Sequence, residues 1–323
     1  KTVSRVLNDR PDVAPETRRK VKEIIERLEF HPSKIARRLS RGSSRTIGVI
    51  SHGLKYYGPA STISGVEEMA HKLGYTVILE MLPNSEKTNI ELLLQNMSAN
   101  HVDGIFWAVP EITYNREYTI QLLSQLPLPI VINSTEPALN FSTVTNQNEV
   151  GGHLATRHLI EQGFQNIALV TGPLDWKEAR LRKIGYEKAL KEAGRPVEKR
   201  YIFEGDWTAR SGALGLEHLM NQHPNIDAIF SSNDQMALGI LWAANQLGLR
   251  VPENLGIVGF DDIPECAFYN PPLTTIHQET VEMGCWAIKE LDRLITSRRI
   301  STETEPISIE FKAKLIIRQS SGA

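Results

Sequence analysis

Cysteine is scarce in this 323-residue chain: only Cys266 and Cys285 are present, and they form no Cys-x-x-Cys pair. That argues against a disulfide framework or a thiolate zinc site and fits a reducing cytoplasm. No apolar run approaches the roughly 18 residues that a membrane span needs. The opening Lys1-Thr2-Val3-Ser4-Arg5 lacks the apolar core of a secretory signal. Signature loops of catalysis are also missing. There is no G-x-G-x-x-G behind a strand, no G-x-x-x-x-G-K-[ST], no H-E-x-x-H and no G-x-S-x-G. These gaps lower the expectation of an enzyme, a bound cofactor or a metal site.

What is present is ordinary in bulk and uneven in distribution. With 41% hydrophobic and 23% charged residues the chain reads as globular, and its length exceeds one compact core, so two or three domains are expected. The net charge of −2 hides an asymmetry. Residues 1–46 hold 13 Lys/Arg against 6 Asp/Glu, a balance of +7; the remainder holds 23 against 32, a balance of −9. A small basic head on a large acidic body suggests a polyanion at one end. The alternative is a solvated helical face.

The head, residues 1–45, reads as short helices. Thr2 to Leu7 is stopped by Asn8-Asp9-Arg10-Pro11, a turn cluster. Ala14-Pro15-Glu16-Thr17 opens a second helix, whose Val21, Ile24, Ile25 and Leu28 recur at helical spacing. Ser33 suits the cap of a third, Lys34 to Leu39, before the linker Ser40-Arg41-Gly42-Ser43-Ser44.

From Thr46 the pattern alternates between strands and helices. Candidate strands are Ile47–Ile50, Tyr75–Met81, Gly104–Trp107, Pro129–Ile132, Ile167–Thr171, Ala228–Ser231 and Gly256–Phe260. Amphipathic helices fall between them, among them Glu149–Gln162, Glu178–Ala193, Ser211–Gln222 and Met236–Leu247. Parallel strands need helical crossovers, so the alternation predicts an α/β fold with parallel sheets. Its length predicts two lobes, with ligand-facing loops at the carboxyl ends of the strands.

Three segments of the head carry a family resemblance. Thr2-Val3-Ser4-Arg5-Val6-Leu7-Asn8 resembles the recognition helix of the lactose-repressor family, Val13-Ala14-Pro15-Glu16-Thr17-Arg18 its next helix start, and Phe30 to Leu39 its hinge helix. The resemblance implies a transcription regulator that binds operator DNA. Ser4 and Arg5, beside Lys1, Thr2 and Asn8, would face base edges and backbone in the major groove. Thr17 and Arg18 suit phosphate contact at a helix start. Arg38 belongs to the basic hinge, and Leu39 is by resemblance an apolar wedge in the minor groove; the alternative is that it packs on the body. The family's first helix has no counterpart before Lys1, so weak operator binding by the 1–323 polypeptide is expected.

The body resembles the same family's two-lobed sugar-binding core, shared with periplasmic binding proteins. The likeness is strongest over Ala179 to Tyr186, Gly205 to Ala209, Ser232 to Gly239, Val258 to Asp262 and Tyr269 to Gln278. It implies a first lobe of about 46–146 and 278–307, and a second of about 147–277 and 308–323. Asn233 and Asp261 each follow a strand and would face a cleft. Arg182, read as lying at a helix start, would donate a fork to vicinal hydroxyls. Trp207 would stack on a pyranose face. Gln278 would sit at a crossing between lobes, and the Tyr56-Tyr57-Gly58-Pro59 loop would line the opposite wall. Bland alternatives stand beside each: a turn cap for Asp261, a surface ion pair for Arg182, plain core for Trp207, a helix cap for Asn233. His52, Ala108 and Asn133-Ser134 depart from the family's galactoside-facing pattern, so a sugar or glycoside is expected, not necessarily a galactoside. No leucine heptads follow Ile317, and a homodimer is expected rather than a coiled-coil tetramer. A periplasmic sugar-binding protein is the rival reading.

Overall fold

The computed structural model describes residues 2–7, 11–28, 43–82, 87–111, 116–134, 136, 140–302 and 304–322. In the head, α1 spans Thr2–Leu7 and α2 spans Pro15–Arg27, with Pro15 in the first turn, where its missing N–H costs nothing. Val6 is buried, whereas Val3, Ile24 and Leu28 stay 47%, 46% and 66% exposed.

Among the described residues the strands of the body form two six-stranded sheets, each sandwiched between helices. In the first, the spatial order is β11-β5-β4-β3-β1-β2. It is built from β1 (Thr46–Ser51), β2 (Thr76–Met81), β3 (Gly104–Ala108), β4 (Ile130–Asn133), β5 (Ser142–Asn146) and β11 (Ser308–Phe311). One face carries α3 (Tyr57–Lys72) and α10 (Thr280–Arg299), through Val66, Met69, Ala287 and Leu291. The other carries α4 (Lys87–Ala99) and α5 (Arg116–Ser124), through Ile90, Leu94, Met97 and Leu123.

The second sheet has the order β12-β10-β9-β8-β6-β7. Its strands are β6 (Ile167–Thr171), β7 (Ile202–Glu204), β8 (Ala228–Ser231), β9 (Gly256–Asp261), β10 (Thr274–His277) and β12 (Lys314–Ile316). Helices α6 (Asn148–Glu161) and α7 (Lys177–Glu192) cover one face through Leu159, Tyr186 and Leu190. Helices α8 (Ala209–Gln222) and α9 (Asp234–Gln246) cover the other through Leu216, Leu219 and Ile240. All pairings are parallel except β10 with β12. This is the two-lobed α/β architecture the alternation predicts.

The chain passes between the sheets three times: after β5, after β10 and after β11. The last passage corrects the expected boundary. Ser308–Phe311 pairs with β5 in the first sheet, so the return falls between Phe311 and Lys314 rather than at 307/308. Strand β5 also escaped the apolar pattern. Its Ser-Thr-Val-Thr-Asn sequence is polar yet fully buried. Its hydroxyls are satisfied inside: Ser142 Oγ donates to Glu290 Oε1 at 2.5 Å and Thr143 Oγ1 to Ser308 Oγ at 2.8 Å.

Each helix pair that covers one face of a sheet and touches closely does so through reciprocal glycines. A Cβ on Gly152 of α6 would lie 2.2 Å from the Arg182 carbonyl oxygen, and one on Gly185 of α7 would lie 2.1 Å from that of Glu149. Gly212 and Gly239 play the same part between α8 and α9, and Gly65 and Gly284 between α3 and α10. Backbones this close leave no room for a side chain.

Candidate functional site

The carboxyl ends of both sheets face each other across a cavity. The first lobe lines it with Tyr56, Tyr57, Pro59, Ala108, Asn133, Asn146 and Met283, and the second with Asn148, Trp176, Glu178, Arg182, Trp207, Asn233 and Asp261; Gln278 and Thr280 lie at the β10–α10 crossing. Seven residues expected from sequence to bind a ligand therefore line one cavity: Arg182, Asn233, Asp261, Trp207, Gln278, Tyr57 and Pro59; of the positions that depart from the galactoside pattern, Ala108 and Asn133 line it and His52 and Ser134 do not.

Two placements differ from the sequence reading. Arg182 lies in the second turn of α7, not at its start, because that helix opens at Lys177. Tyr57 and Pro59 form the first turn of α3 rather than a loop. Proline suits such a turn, and the apolar pattern alone did not separate turn from helix.

Arg182 is the centre of the polar wall. It is 6% exposed. Its Nε donates to Asn148 Oδ1 at 2.9 Å, and its Nη1 donates to the Ser232 carbonyl at 2.5 Å and stands 3.6 Å from Asp261 Oδ1. Its guanidinium carbon sits 3.8 Å from the Phe260 ring centroid, a cation–π arrangement that fixes the plane of the fork. Asp261 accepts from Gln278 Nε2 at 2.6 Å, which ties the β9 terminus to the crossing between lobes. Asn233 is both cap and lining. Its Oδ1 accepts from Met236 N at 2.8 Å while its Nδ2 donates to the Trp207 carbonyl at 3.0 Å. The backbone is strained here: Trp207, Asp261 and Asp262 hold φ of 71°, 111° and 56°. Such conformations cost on the order of 1–3 kcal/mol each and concentrate at functional sites.

Burial sets the electrostatics. Asp234, directly behind the cavity wall, is buried and accepts from Thr275 Oγ1 at 2.6 Å and Ile263 N at 2.9 Å. Its carboxyl is pushed up by burial and by the charge of Asp261. Asp261 is raised by burial too, against the pull of Arg182 and the Gln278 hydrogen bond. A carboxyl raised in the fold binds a proton that the unfolded chain releases, so its contribution falls as pH rises from the usual carboxylate range towards neutrality. Asp234→Asn lacks this dependence. The stability of the parent minus that of Asp234→Asn is expected to fall by on the order of 2 kcal/mol between pH 5 and pH 8. Urea unfolding across that range measures it; a flat difference would mean that Asp234 ionises freely in the fold.

The lobes are clasped beside the cavity. The Lys177 backbone N–H donates to the Glu111 carbonyl at 3.0 Å. Its ammonium lies 2.8 Å from Glu111 Oε2 and 2.6 Å from Glu136 Oε1. Arg116 adds contacts of 3.2 Å and 3.6 Å to the same two carboxyls. The Lys177 hydrogen bond holds the Glu136 carboxyl below the usual range. Aromatic rings reinforce the clasp. Trp176 meets His52 and Tyr56 of the first lobe edge-on at 5.0 Å and 5.8 Å, and Trp207 of its own lobe at 5.8 Å. Burial lowers the His52 pKa. Sequence reasoning missed Trp176, Glu178, Asn146 and Asn148. Asn146 and Asn148 flank the first crossing between lobes, and polar residues around a strand end were the available signal.

Of the residues expected to meet DNA, Thr2, Ser4 and Arg5 lie on α1, and Thr17 and Arg18 in the first turn of α2. Arg5 pairs with Asp12 at 2.5 Å, both exposed. Lys1, Asn8, Arg38 and Leu39, with the rest of the expected hinge helix, lie outside the described residues.

Residues 1–33 match the family model described as bacterial regulatory proteins, lacI family, and residues 156–321 match a periplasmic binding protein-like domain. Catabolite control protein A of Priestia megaterium is 35% identical over 315 residues, 96% of this chain and 94% of that protein. The HTH-type transcriptional repressor PurR of Haemophilus influenzae is 35% identical over 323 residues, 99% of this chain and 94% of that protein. Among solved structures, the lac repressor dimer bound to operator and the anti-inducer ONPF superimposes with a TM-score of 0.90 at 28% identity, covering 100% of this chain and 95% of that one. The transcriptional regulator CelR–cellobiose complex gives a TM-score of 0.75 at 28% identity, covering 98% of this chain and 94% of that one.

Proposed function

The chain belongs to the lacI family of bacterial regulatory proteins, whose relatives here are transcriptional repressors rather than enzymes, and on that premise we propose that a neutral sugar or glycoside in the inter-lobe cavity sets its hold on operator DNA. The observation that carries the reading is the convergence of Arg182, Asn233, Asp261 and Gln278 with the Trp207 ring on one cavity. Forked donors, carboxylate acceptors and an aromatic face are what vicinal hydroxyls and the apolar side of a pyranose require. The solved relative complexed with cellobiose supports a sugar as ligand, and the one on its operator supports DNA as partner.

The mechanism is a population shift. Ligand spans both lobes and stabilises one lobe arrangement over the other. The head segments joined at Ser43–Arg45 follow the first lobe, because Asp103 accepts from Ser43 Oγ at 2.7 Å and from the Ser44 and Arg45 backbone N–H groups at 3.0 and 2.8 Å. The shift in DNA affinity is bounded by the ligand's differential affinity for the two arrangements. Ser4, Arg5 and Thr2 read the groove, Thr17 and Arg18 hold phosphates, and sugar binding releases DNA.

A thermal-shift screen of neutral mono- and disaccharides tests the sugar. A ligand at 100 times its Kd adds about 2.7 kcal/mol of stability. The same ligand is expected to lower the affinity for a palindromic operator duplex, and that affinity to fall steeply with salt. A screen in which no sugar moves the melting temperature sinks the reading.

Two chains pair through their bodies so that two heads meet one pseudo-palindrome. Support comes from exposed apolar side chains on the second lobe: Leu238 and Trp242, one turn apart on α9, are 42% and 57% exposed, and Phe268 is 87% exposed. Large exposed aromatics of this kind mark interfaces. Trp242→Glu is expected to convert dimer to monomer in analytical ultracentrifugation, weakening association about a hundredfold or more, with the fold intact by circular dichroism.

A further inference from the structure

The cavity wall contains buried polar atoms that nothing among the described residues satisfies. Glu178 is the second residue of α7. Its own backbone N–H holds the carboxyl, yet Oε2 is buried without any hydrogen-bond partner. Trp207 Nε1, a pure donor, is buried and unpartnered as well. Leaving such an atom unmet costs stability, and more for a charged group. Burial raises the Glu178 pKa, with Glu111 pushing the same way and Arg182 and Arg180 pulling against it.

A structural role does not account for this arrangement. The ion pairing at this helix start is done by the neighbouring Lys177, while among the described residues no ion-pair partner lies within 4.0 Å of Glu178. Instead Glu178 lines the cavity together with Arg182. The two are four residues apart on α7, hence on one face with Cβ atoms about 6 Å apart. One helical stripe thus presents a forked donor and, one turn earlier, a lone acceptor, with the Trp207 N–H as a second donor.

We propose that Glu178 is a specificity-determining residue: its Oε2 accepts a hydrogen bond from a ligand hydroxyl distinct from those held by Arg182, while Trp207 Nε1–H donates to a neighbouring ligand oxygen. The inference rests on the cavity being a sugar site and narrows the ligand class. A ligand meeting Glu178 offers a donor there. An anionic oxygen facing Glu178 has no proton to donate, so sugar phosphates and uronic acids are disfavoured there against neutral sugars. The unliganded protein carries an unmet acceptor that ligand relieves, so part of the stability lost in the empty state returns as affinity.

The test uses the full chain and isothermal titration calorimetry. A panel of cellobiose, lactose, maltose and sucrose, with glucose 6-phosphate as the anionic probe, identifies the tightest neutral sugar, and its monodeoxy analogues follow. Glu178→Ala is expected to weaken that sugar about tenfold or more, and Glu178→Gln, which keeps an acceptor, only a few-fold. One deoxy analogue should lose affinity for the parent but not for Glu178→Ala. Unliganded Glu178→Ala should melt no lower than the parent, an outcome a structural residue does not give. The proposal is overturned by parent-like titration of Glu178→Ala, by a melting temperature several degrees lower in that unliganded variant, or by tighter binding of the phosphate than of every neutral sugar. If no neutral sugar binds the parent, the sugar reading fails and this inference falls with it. If the parent binds and Glu178→Ala matches it, only this inference fails.

Discussion

Arg182→Ala is expected to abolish ligand-induced stabilisation, weakening sugar binding roughly a hundredfold or more, the range of a buried charged anchor. The side chain joins three parts of the cavity wall. It bonds Asn148 at the first crossing between lobes, the Ser232 carbonyl beyond β8 and, at 3.6 Å, Asp261 at the end of β9. Among the described residues no partner engages its Nη2, so those donors are left for a ligand. The unliganded variant is also expected to lose about 2–4 kcal/mol, less than the full cost of breaking a buried pair, because Asp261 takes up a proton once the guanidinium is gone. Arg182→Lys should recover little, since a point charge cannot replace a planar fork held over Phe260. Calorimetric titration with the best neutral sugar, alongside urea unfolding, measures both losses. Parent-like affinity in Arg182→Ala would remove Arg182 from the site.

The second large effect comes from a residue that touches no ligand. Gly152→Ala is expected to destabilise the protein by about 3 kcal/mol or more and to weaken sugar binding at the same time. In an exposed helix this substitution is favourable by about 1 kcal/mol. Here the added methyl would lie 2.2 Å from the carbonyl oxygen of Arg182 itself, so α6 and α7 must separate. Close packing transmits that displacement to the Arg182 and Glu178 side chains. Gly58→Ala is the control, because its methyl meets nothing within 4 Å. It should leave stability unchanged or raise it by a few tenths of a kcal/mol. Thermal unfolding separates the cases, and a Gly152→Ala variant as stable as the parent would show that the helices can part without cost.

The strands found from sequence were those with apolar runs. Ile167–Thr171 and Ala228–Ser231 match β6 and β8 to the residue. Strand β5, with one apolar residue in five, was invisible, because its polar side chains are satisfied by Glu290 and Ser308, 148 and 165 residues away in sequence. The cavity residues were legible as types at strand ends and in family-like stretches. The structure bears on two of their alternatives. Arg182 is no surface ion pair, and Asn233 turned out to cap a helix and line the cavity together. Glu178 gave no signal, since a glutamate in the first turn of a helix is ordinary; its significance lies in what fails to reach its outer oxygen.

The sequence by itself determined the alternation of strands and helices, the charge split between head and body, and the chemical kinds of group available to a ligand. These are properties of neighbouring residues, carried by periodicity and composition. Only the tertiary structure decided which of those groups share a cavity, which polar atoms are left without partners, and where helix backbones come close enough to demand glycine. Such facts depend on distances between segments more than a hundred residues apart, such as Asn146 and Gln278, brought to one cavity where the chain passes between the lobes.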